Sequence, residues 1–402
     1  MHRTHRVARA LTFLLAIPLL SGCEPTTLTP AQNQRLQQHG PLTRADLPPS
    51  PTNAFADDPQ AVQLGKALFF DRRMSQDGEI ACVTCHDPRF NFSDPRQVSE
   101  GVEGRRGLRH AMGITNVGFQ PFFFWDGRTD SLWSQPLKAI ESSAEMDFSR
   151  AEVAHFVTQR HGARYAEVFG EVPDLTGIPD RARPGLNAWE GMDEEERDRV
   201  NRVFANVGKA LEAYQRQLIC DDTRFDRFLR DAVALTPDEE EGAAIFLEAG
   251  CVGCHSGPNF SDHAFHNMGI GSNNGVPDAG REDAYERLLK DEFNGAGPYS
   301  DDTSAGEAKL ATLQDEPGAR GAFKTPSLRG VAQRRRFSHR GHIEGLERFI
   351  RQRYVRPTRE ESATGDVDPL ARRIQLEEQD VEPLVAFLRT LDCPPLPAEL
   401  LP

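Results

Sequence analysis

Two short stretches of this chain carry residues that can bind a metal-containing cofactor covalently. Both have the pattern Cys-x-x-Cys-His, at residues 82–86 and at residues 251–255. This is the attachment motif of c-type haem, in which two thiols bond to the porphyrin and the adjacent histidine supplies a nitrogen to iron. A closed zinc site needs four ligands, whereas the two motifs supply six, which fits neither one site nor two. A thioredoxin-type redox motif has no obligatory histidine. The sequence therefore predicts two haem c groups on Cys82, Cys85, Cys251 and Cys254, with His86 and His255 as iron ligands.

The sequence around both motifs predicts helices joined by long loops. An apolar stripe at helical spacing predicts a helix from Asp193 to Leu218. Thr236 and Glu239 form a capping box that starts a helix just before the second motif, and a helical pattern at residues 60–70 precedes the first. No alternating strand pattern of useful length appears. We therefore predict an all-α fold of two cytochrome c-like haem domains in tandem, at residues 56–220 and 221–402.

The N-terminus is typical of a segment that is removed during export. A basic start is followed by an apolar run from Ala10 to Leu20, which is too short to span a bilayer. The run ends in Leu-Ser-Gly-Cys at Cys23, which resembles the lipobox of bacterial lipoproteins. An ordinary signal peptide with a chance cysteine is the alternative. We predict a lipoprotein signal peptide at residues 1–22, a lipid anchor on Cys23, a flexible tether at residues 23–55 and a periplasmic location.

Charge and the remaining cysteines narrow the class of protein further. The 402 residues include 61 acidic and 47 basic ones, for a formal net charge of −14, which argues against nucleic acid as a partner. The negative charge is compatible with electrostatic steering of a basic soluble partner, such as a small electron-carrying cytochrome. Cys220 and Cys393 are left over from the haem motifs and the anchor. In an oxidising compartment they form either a disulfide or two unpaired thiols, and both alternatives stay open.

Further motifs lie between and around the haem sites. In the first half they are LGKALFFD at residues 64–71, CVTCHDP at 82–88, FSD at 92–94, FWDGR at 124–128, LxxQ at 132–135 and Glu145-Met146. In the second half they are FKTPSLR at 323–329 and HxG at 339–341. Together they resemble the bacterial di-haem cytochrome c peroxidase family, which includes MauG-type enzymes that oxidise a partner protein. The resemblance runs from about residue 60 to residue 390, in the family's order.

The resemblance implies an enzyme that reduces hydrogen peroxide to water with electrons from a small periplasmic cytochrome c or cupredoxin. It makes Glu145 the acid/base at the first haem, with Gln135 beside it, because cleavage of the O–O bond requires a proton to move between the two oxygens. It makes Trp125 an electron relay between the haems, although a core tryptophan is the commoner role. The remaining implied cofactor contacts are Arg128 and Arg329, as partners of haem propionates, and His339.

One departure from the family pattern concerns the first haem. Many family members carry a histidine about sixteen residues after the first motif, where it caps the iron until the other haem is reduced. The residue here is Val102, which cannot ligate iron. We therefore expect the first haem to be open at rest, as in the MauG-type branch. His110 is the alternative ligand, at the cost of an eight-residue shift.

A second departure concerns a calcium ion that the family holds between its domains. The matching positions here are His110 and the three arginines at residues 334–336. Histidine is a poor calcium ligand, and arginines are a poor neighbourhood for a dication. We predict that calcium is absent or weakly bound.

The sixth ligand of the second haem is the third departure. The family uses methionine or tyrosine fourteen residues after the histidine that matches His339, and that position here is Arg353, with Tyr354 next to it. A shift of one residue rotates a helical side chain by about 100°. Tyr354 therefore requires a turn or bulge, and Met268 is the alternative. Methionine would raise the haem potential and suit a peroxidase, whereas a phenolate would lower it and suit protein oxidation.

Two other functions stay open beside the peroxidase. The first is a MauG-type enzyme that uses peroxide to oxidise residues of a partner protein, which Val102 and Tyr354 favour. The second is a non-catalytic electron carrier, which requires two six-coordinate irons and an idle Glu145. Many relatives are dimers, so the resemblance also implies a homodimer as one form of assembly.

Overall fold

The computed structural model describes residues 28–313, 319–357 and 359–402. The predicted signal peptide and Cys23 lie outside these residues. The helices are α1 (Pro30–Leu36), α2 (Pro59–Phe69), α3 (Cys82–Cys85), α4 (Ser134–Glu141), α5 (Arg150–Phe169), α6 (Asn187–Glu190), α7 (Glu194–Gln215), α8 (Arg224–Leu229), α9 (Pro237–Glu248), α10 (Arg281–Leu289), α11 (Thr303–Ala311), α12 (Leu346–Ile350), α13 (Pro369–Arg373) and α14 (Val381–Arg389). Within the described ranges, every helix is too short or too polar to cross a membrane.

The strands are only two residues long. They are β1 (Phe265–His266), β2 (Phe323–Lys324), β3 (Arg336–Phe337) and β4 (Ile343–Glu344), and they pair as two antiparallel ribbons, β1 with β2 and β3 with β4. Several connections contain short 3₁₀ turns, and one contains a π-helical turn at Arg351–Val355. The helix-rich architecture confirms the predicted all-α class.

The first hydrophobic core forms where α2, α4 and α5 pack on α7. Asp193 caps α7: its carboxylate accepts a hydrogen bond from the Glu196 amide at 2.8 Å, and the Glu196 carboxylate accepts one from the Asp193 amide at 2.9 Å. The predicted apolar stripe of α7, from Val200 to Tyr214, is fully buried. The helix predicted from this stripe is confirmed, with its end three residues earlier than expected.

The second core forms where α9 packs on α14, beside α12. The predicted capping box at the start of α9 is present: Glu239 Oε2 accepts from the Thr236 amide at 2.7 Å, and Thr236 Oγ1 accepts from the Glu239 amide at 3.3 Å. The predicted helix before the second motif is therefore confirmed. Each core thus contains a helix that leads toward a Cys-x-x-Cys-His motif.

The main helix pair of each core meets at a glycine. On α2, a methyl group added to Gly65 would lie 1.9 Å from the carbonyl oxygen of Ala210 on α7. On α9, a methyl group added to Gly242 would lie 1.9 Å from the carbonyl oxygen of Pro383 on α14. Both distances are far below any real contact, so the two backbones approach as closely as they do because a side chain is missing.

The predicted flexible tether is wrong for the part of it that the structure describes. The helix α1 is capped by Thr29, whose hydroxyl accepts from the Gln32 amide at 3.2 Å, and begins with Pro30. Leu28 and Leu36 are buried in the second core. The Pro- and Gln-rich composition of this segment concealed a capped helix with an apolar face, which removes more nonpolar surface from water than a tether would.

The C-terminal segment follows the helices of the second core but packs against the first core. Leu396, Leu400 and Leu401 pack against the first core, and Tyr214 of α7 donates a hydrogen bond to the carbonyl oxygen of Leu400 at 2.8 Å. The N-terminal segment therefore packs in the second core and the C-terminal segment packs on the first, an exchange of chain ends. The predicted domain boundary near residue 220 does not separate the residues of the two cores.

Cys220 and Cys393 form a disulfide, which resolves the alternative that the sequence left open. The bond joins the segment after α7 to the segment after α14, across 173 residues of chain. It thereby fastens the C-terminal segment close to the point where that segment crosses to the first core.

The close helix contacts at Gly65 and Gly242 predict that alanine at either position lowers the stability of the protein. Gly65→Ala and Gly242→Ala should each lower the free energy of unfolding by more than about 2 kcal/mol, because the added methyl forces two packed helices apart. Gly162→Ala on α5 is the matched control: its methyl would meet only Val172 Cγ2, at 3.9 Å. That control should be neutral or should stabilise by about 0.5–1 kcal/mol. Denaturant unfolding of the haem-loaded protein measures all three, and equal effects at the three sites would contradict the packing described here.

Candidate active site

The first Cys-x-x-Cys-His motif lies at the edge of a cavity of about 430 Å³. Cys82 and Cys85 begin and end the single turn α3, and His86 follows as its cap, so both thiols and the imidazole are held by one short element. His86 Nδ1 donates to the carbonyl oxygen of Phe92 at 3.1 Å. Burial lowers the pKa of His86, which keeps the ring neutral and leaves Nε2 with its lone pair.

The second motif repeats this arrangement at a cavity of about 190 Å³, lined by Cys251, Cys254 and His255. His255 Nδ1 donates to the carbonyl oxygen of Phe260 at 3.0 Å, and burial again lowers the pKa of the ring. Two thiols beside a neutral, oriented imidazole at each cavity are the donor set that haem c requires. The residues present therefore fit the cofactor that the motifs predict.

The structure brings the predicted acid/base Glu145 and the predicted distal-pocket Gln135 to the first cavity, where both line the same space as His86. Gln135 lies in the first turn of α4. Glu145 lies in the turn that follows α4, where its amide donates to the carbonyl oxygen of Ser142 at 3.0 Å. The chain therefore places an amide and a carboxyl at the same cavity as the haem-binding motif.

Val102 holds the turn of Glu145 in place. It is fully buried, and its amide donates to the carbonyl oxygen of Glu145 at 2.8 Å. The preceding Gly101 lies so close that a methyl group on it would come within 2.3 Å of the same carbonyl oxygen. The position at which many relatives carry an iron ligand is therefore used here to support the backbone of Glu145.

The surroundings of Glu145 raise the pKa of its carboxyl. Its side chain is half-buried and lines the cavity. Burial raises the pKa of the carboxyl, whereas the nearby Arg128 and a hydrogen bond from Ser142 lower it. Arg128 lines the same cavity and is held by Asp126 at 3.0 Å, with its guanidinium stacked 3.5 Å from the Phe124 ring. Arg128 thus stays a candidate partner for a propionate.

A single wall separates the two cavities. Trp125 lines both, and so do His110, Met112, Gly113 and Gln120. The indole Nε1 of Trp125 donates to the carbonyl oxygen of His110 at 2.8 Å, which fixes the ring in the wall. Trp125 is therefore positioned between the two predicted haem sites, as its sequence context implies.

On the second side of this wall, His339 lies edge-on to Trp125, with ring centres 6.2 Å apart, and stacks on Phe323 at 3.7 Å. His339 Nε2 donates to the carbonyl oxygen of Gly271 at 3.0 Å, and burial lowers the pKa of the ring to about 4. His339 lines the second cavity as a neutral aromatic side chain, in contact with the wall.

Both candidates for the sixth ligand line the second cavity. Met268 lies in the loop after β1, and Tyr354 lies in the π-helical turn Arg351–Val355. In this turn the Arg356 amide donates to the carbonyl oxygen of Arg351 at 3.0 Å, five residues back. The extra residue of a π-turn is the bulge that Tyr354 requires in order to reach the cavity, which Arg353 lines as well. Burial raises the pKa of the Tyr354 phenol.

The expected pairing of Arg329 with a haem propionate is wrong. Its guanidinium is almost fully buried and forms a two-bond pair with the Asp226 carboxylate at 2.7 and 2.8 Å. Its Nε donates to the carbonyl oxygen of Pro258 at 2.7 Å. Because these bonds occupy the guanidinium inside the second core, its donors are not available to a propionate; Asp226 also accepts from the Leu42 amide, in the N-terminal segment, at 3.2 Å.

At the positions that match the family's calcium ligands, the structure places a guanidinium. Arg334 donates to the carbonyl oxygens of Ser327 and Arg329 at 3.1 and 3.0 Å, and burial lowers its pKa to about 10. His110 lies in the wall, with Nε2 3.2 Å from Ser93 Oγ. The prediction of absent or weak calcium stays a prediction, and these contacts place the Arg334 guanidinium at the carbonyl groups of Ser327 and Arg329.

The structure also reveals site residues that the sequence reasoning missed. Arg109 bridges Asp126 in the first half and Asp278 in the second, at the wall of the first cavity. Lys324 is buried beside the wall, where its ammonium donates to Gln120 and to the carbonyl oxygen of Phe122. Burial lowers the pKa of Lys324 to about 7. No spacing in the sequence points to these contacts, because each joins distant segments.

One missed signal was visible in the sequence. The carbonyls that orient the two motif histidines belong to Phe92 and Phe260, and both lie in the stretch Asn-Phe-Ser-Asp, at residues 91–94 and 259–262. Both phenylalanines adopt left-handed backbone conformations, with φ of 53° and 50°. The repeated stretch at similar distances after each motif could have identified the orienting carbonyls.

Comparisons with known proteins agree with this geometry. The family model described as di-haem cytochrome c peroxidase matches residues 59–234. The methylamine utilization protein MauG of Methylorubrum extorquens is 29% identical over 382 residues, which cover 94% of this chain and 91% of that protein. The cytochrome-c peroxidase IdrP1 of Denitromonas iodatirespirans is 30% identical over 375 residues, with coverage of 89% and 90%.

A solved structure shows the same fold. The crystal structure of the diheme peroxidase BthA from Burkholderia thailandensis aligns with a TM-score of 0.64. The alignment covers 89% of this chain and 90% of that one, at 20% identity. Both halves of the chain therefore follow a known arrangement.

The raised pKa of Glu145 predicts a pH-dependent effect of Glu145→Gln on stability. The unfolded carboxyl loses its proton near pH 4.3, before the folded one does. The free energy of unfolding of the wild type should therefore fall, relative to the variant, as the pH rises from about 4.3 to the folded-state pKa, and the difference should stay constant above it. Denaturant unfolding of the haem-loaded protein between about pH 4 and pH 8 measures this difference.

Glu239→Gln is the matched control with the opposite sign. Although burial opposes it, hydrogen bonding by Arg224 at 2.8 Å holds the pKa of Glu239 below its usual value. Its stabilisation is present above the unfolded-state pKa and is lost as the pH falls through the folded-state pKa. A flat difference for Glu145→Gln, or one with the sign of the control, would contradict the raised pKa of Glu145.

Proposed function

The chain belongs to the di-haem cytochrome c peroxidase family, and from that premise we propose that it reduces hydrogen peroxide to water with electrons from a small periplasmic donor protein. The balanced reaction consumes one H₂O₂, two electrons and two protons and yields two waters. The observation that carries the proposal is that Trp125 lines two cavities, each with a haem motif, while only the first also has Gln135 and Glu145.

Two tandem haem sites follow from the two motifs. Cys82 and Cys85 would hold one haem and Cys251 and Cys254 the other through thioether bonds, with His86 and His255 as proximal ligands. When bound, the haems supply the iron at which peroxide is cleaved and the redox centres through which electrons enter. The carbonyls of Phe92 and Phe260 keep both imidazoles oriented with Nε2 available.

Glu145 carries the proton chemistry of the proposal. Its carboxylate accepts the proton of one peroxide oxygen and passes it to the other, which can then leave as water rather than as hydroxide. A carboxyl whose pKa burial raises suits both steps, since it accepts and donates near neutral pH more readily than an exposed one. Gln135 offers an amide at the same cavity to orient peroxide, and Val102 fixes the backbone from which Glu145 projects.

The second cavity is the proposed entry point for electrons. It has no counterpart of the Glu145 and Gln135 pair among the described residues that line it. Trp125 forms part of the wall and contacts His339 on that side, so an indole lies along the route between the two sites. Fixing of the indole by the His110 carbonyl keeps that route in one geometry.

The second candidate function is MauG-type oxidation of a partner protein by peroxide. Two observations favour it: Val102 leaves the first site without the histidine cap that many relatives carry, and the π-turn brings Tyr354 to the second cavity. A phenolate ligand would lower the potential of the second site and favour storage of oxidising equivalents over rapid reduction by a donor. The third candidate, a non-catalytic carrier, leaves the pairing of Gln135 and Glu145 unexplained.

The cellular setting is part of the proposal. The lipobox-like stretch supports a lipid anchor on Cys23 and a periplasmic location, where haem attachment and the Cys220–Cys393 disulfide are both compatible with the oxidising surroundings. A cytochrome c or cupredoxin would serve as donor, and a homodimer is the proposed assembly.

Replacing Glu145 tests the catalytic proposal. Glu145→Gln should lower kcat/KM for hydrogen peroxide by about 10²–10⁴-fold, because the amide cannot shuttle a proton. Glu167→Gln, at an exposed position on α5, is the matched control and should leave turnover unchanged. Steady-state peroxide reduction by protein with equal haem content measures both. Undiminished turnover in Glu145→Gln would remove the assigned role, and an absence of peroxide reaction in the wild type would favour the carrier.

The distal ligand of the second haem is tested by a pair of variants. We expect Tyr354→Phe to change the low-spin signals and raise the potential of the second haem, because an anionic oxygen ligand is removed. Met268→Leu should leave both unchanged. Electron paramagnetic resonance of the oxidised protein and a redox titration measure the two properties. A change in Met268→Leu with none in Tyr354→Phe would assign Met268 as the ligand and favour the peroxidase over the MauG-type reaction.

A further inference from the structure

One segment of this acidic chain is strongly basic. Residues 334–359 contain nine arginines and two glutamates, which gives a net charge of +7 within a chain whose formal net charge is −14. The segment follows the motif that ends in Arg329, and it includes His339 and Tyr354 of the second cavity. Charge is therefore concentrated beside one of the two predicted haem sites.

The structure gathers part of this segment into an open groove, which we call the arginine groove. Its charged lining consists of five arginines and two glutamates, namely Arg340, Arg348, Arg351, Arg353, Arg356, Glu360 and Glu378. Most of the glutamate oxygens are already used: Glu360 accepts from Arg340 and Glu378 accepts from Arg351. Arg348 and Arg356 are exposed. The groove therefore keeps an excess of positive charge on its outer face.

The arginine groove lies against the second cavity. Arg353 lines both, and its guanidinium donates to the carbonyl oxygen of Met268, which also lines the cavity. The π-turn Arg351–Val355 forms the boundary, with Tyr354 at the cavity and Arg351 in the groove. A partner held in the groove would thus be separated from the second haem site by a single turn of chain.

The chemistry of the groove distinguishes between occupants. A compact anion site needs several N–H groups that converge on one point, whereas Arg340 and Arg351 already direct theirs at glutamates. What remains is a spread positive field, which suits an extended surface of carboxylates. The overall negative charge favours a basic partner, but the local positive charge beside the second cavity favours an acidic one.

We propose that the arginine groove docks the acidic face of a protein electron donor beside the second haem site. The inference rests on the proposed function, since it names the donor class for that reaction. Each docking event transfers one electron from the donor's metal centre, which is oxidised, to the enzyme. Two events supply the two electrons that, with two protons, convert one H₂O₂ to two waters.

Binding rather than turnover tests the proposal. The probes are an acidic plastocyanin and a basic mitochondrial-type cytochrome c, titrated without peroxide against the haem-loaded chain at about 10 mM and about 300 mM ionic strength. Plastocyanin should bind the wild type at low salt and weaken as salt screens the charges. The double variant Arg348→Glu/Arg356→Glu should bind plastocyanin at least about tenfold more weakly and bind the basic cytochrome c more tightly. The double variant Arg160→Glu/Arg164→Glu, at two exposed positions on α5, changes the charge by the same amount and should have no effect.

The gain of affinity for the basic probe could not come from misfolding, so the double variant reports on the groove itself. Equal plastocyanin affinity in wild type and double variant would overturn the proposal. Binding of inorganic phosphate or of anionic phospholipid vesicles by the wild type, without binding of plastocyanin, would also overturn it. Because no peroxide is present, these results are independent of whether Glu145 reduces peroxide.

Discussion

One hydrogen bond, made twice, determines what both cavities can do. In each motif the histidine Nδ1 donates to a phenylalanine carbonyl, from His86 to Phe92 and from His255 to Phe260. With Nδ1 used in this way, only Nε2 can ligate a metal, and the ring cannot turn. Each phenylalanine adopts a left-handed backbone to present its carbonyl, which costs on the order of 1–3 kcal/mol. Such strain in both halves indicates that the orientation of the imidazole outweighs its local cost.

The two cavities are alike around the motif histidines and differ in the other residues that line them. The turn after α4, supported by Val102, adds the Glu145 carboxyl to the first cavity, while the π-turn adds Tyr354 to the second. The shared wall then couples them, because Trp125 is fixed by a backbone carbonyl rather than by a mobile side chain. Exchange of the chain ends and the Cys220–Cys393 disulfide tie the halves together, so the thickness of this wall is constrained from several directions.

The sequence predicted what depends on local pattern and not what depends on distant contacts. The stripe of α7 and the capping box of Thr236 lie within one helix each, and both were correct. The role of Arg329 was wrong because its partner, Asp226, lies 103 residues away and no spacing reports on it. The polar composition of the N-terminal segment predicted a flexible tether. Burial of Leu28 and Leu36 in the second core holds the segment in place instead. The place of Tyr354 at the second cavity depends on a π-turn. Residue spacing showed that a bulge was needed, but it could not show that one is present.

The charge distribution orients a partner as well as attracting it. With +7 on residues 334–359 and −14 on the whole chain, the remaining residues carry a formal charge of −21. An acidic protein is therefore repelled by most of the surface and attracted to the face beside the second cavity. At physiological ionic strength charges act over about 8 Å, so this selection operates only at close approach, when the partner's orientation is being decided. Repulsion elsewhere would thus keep an acidic donor of the proposed kind away from the first cavity, which Glu145 lines.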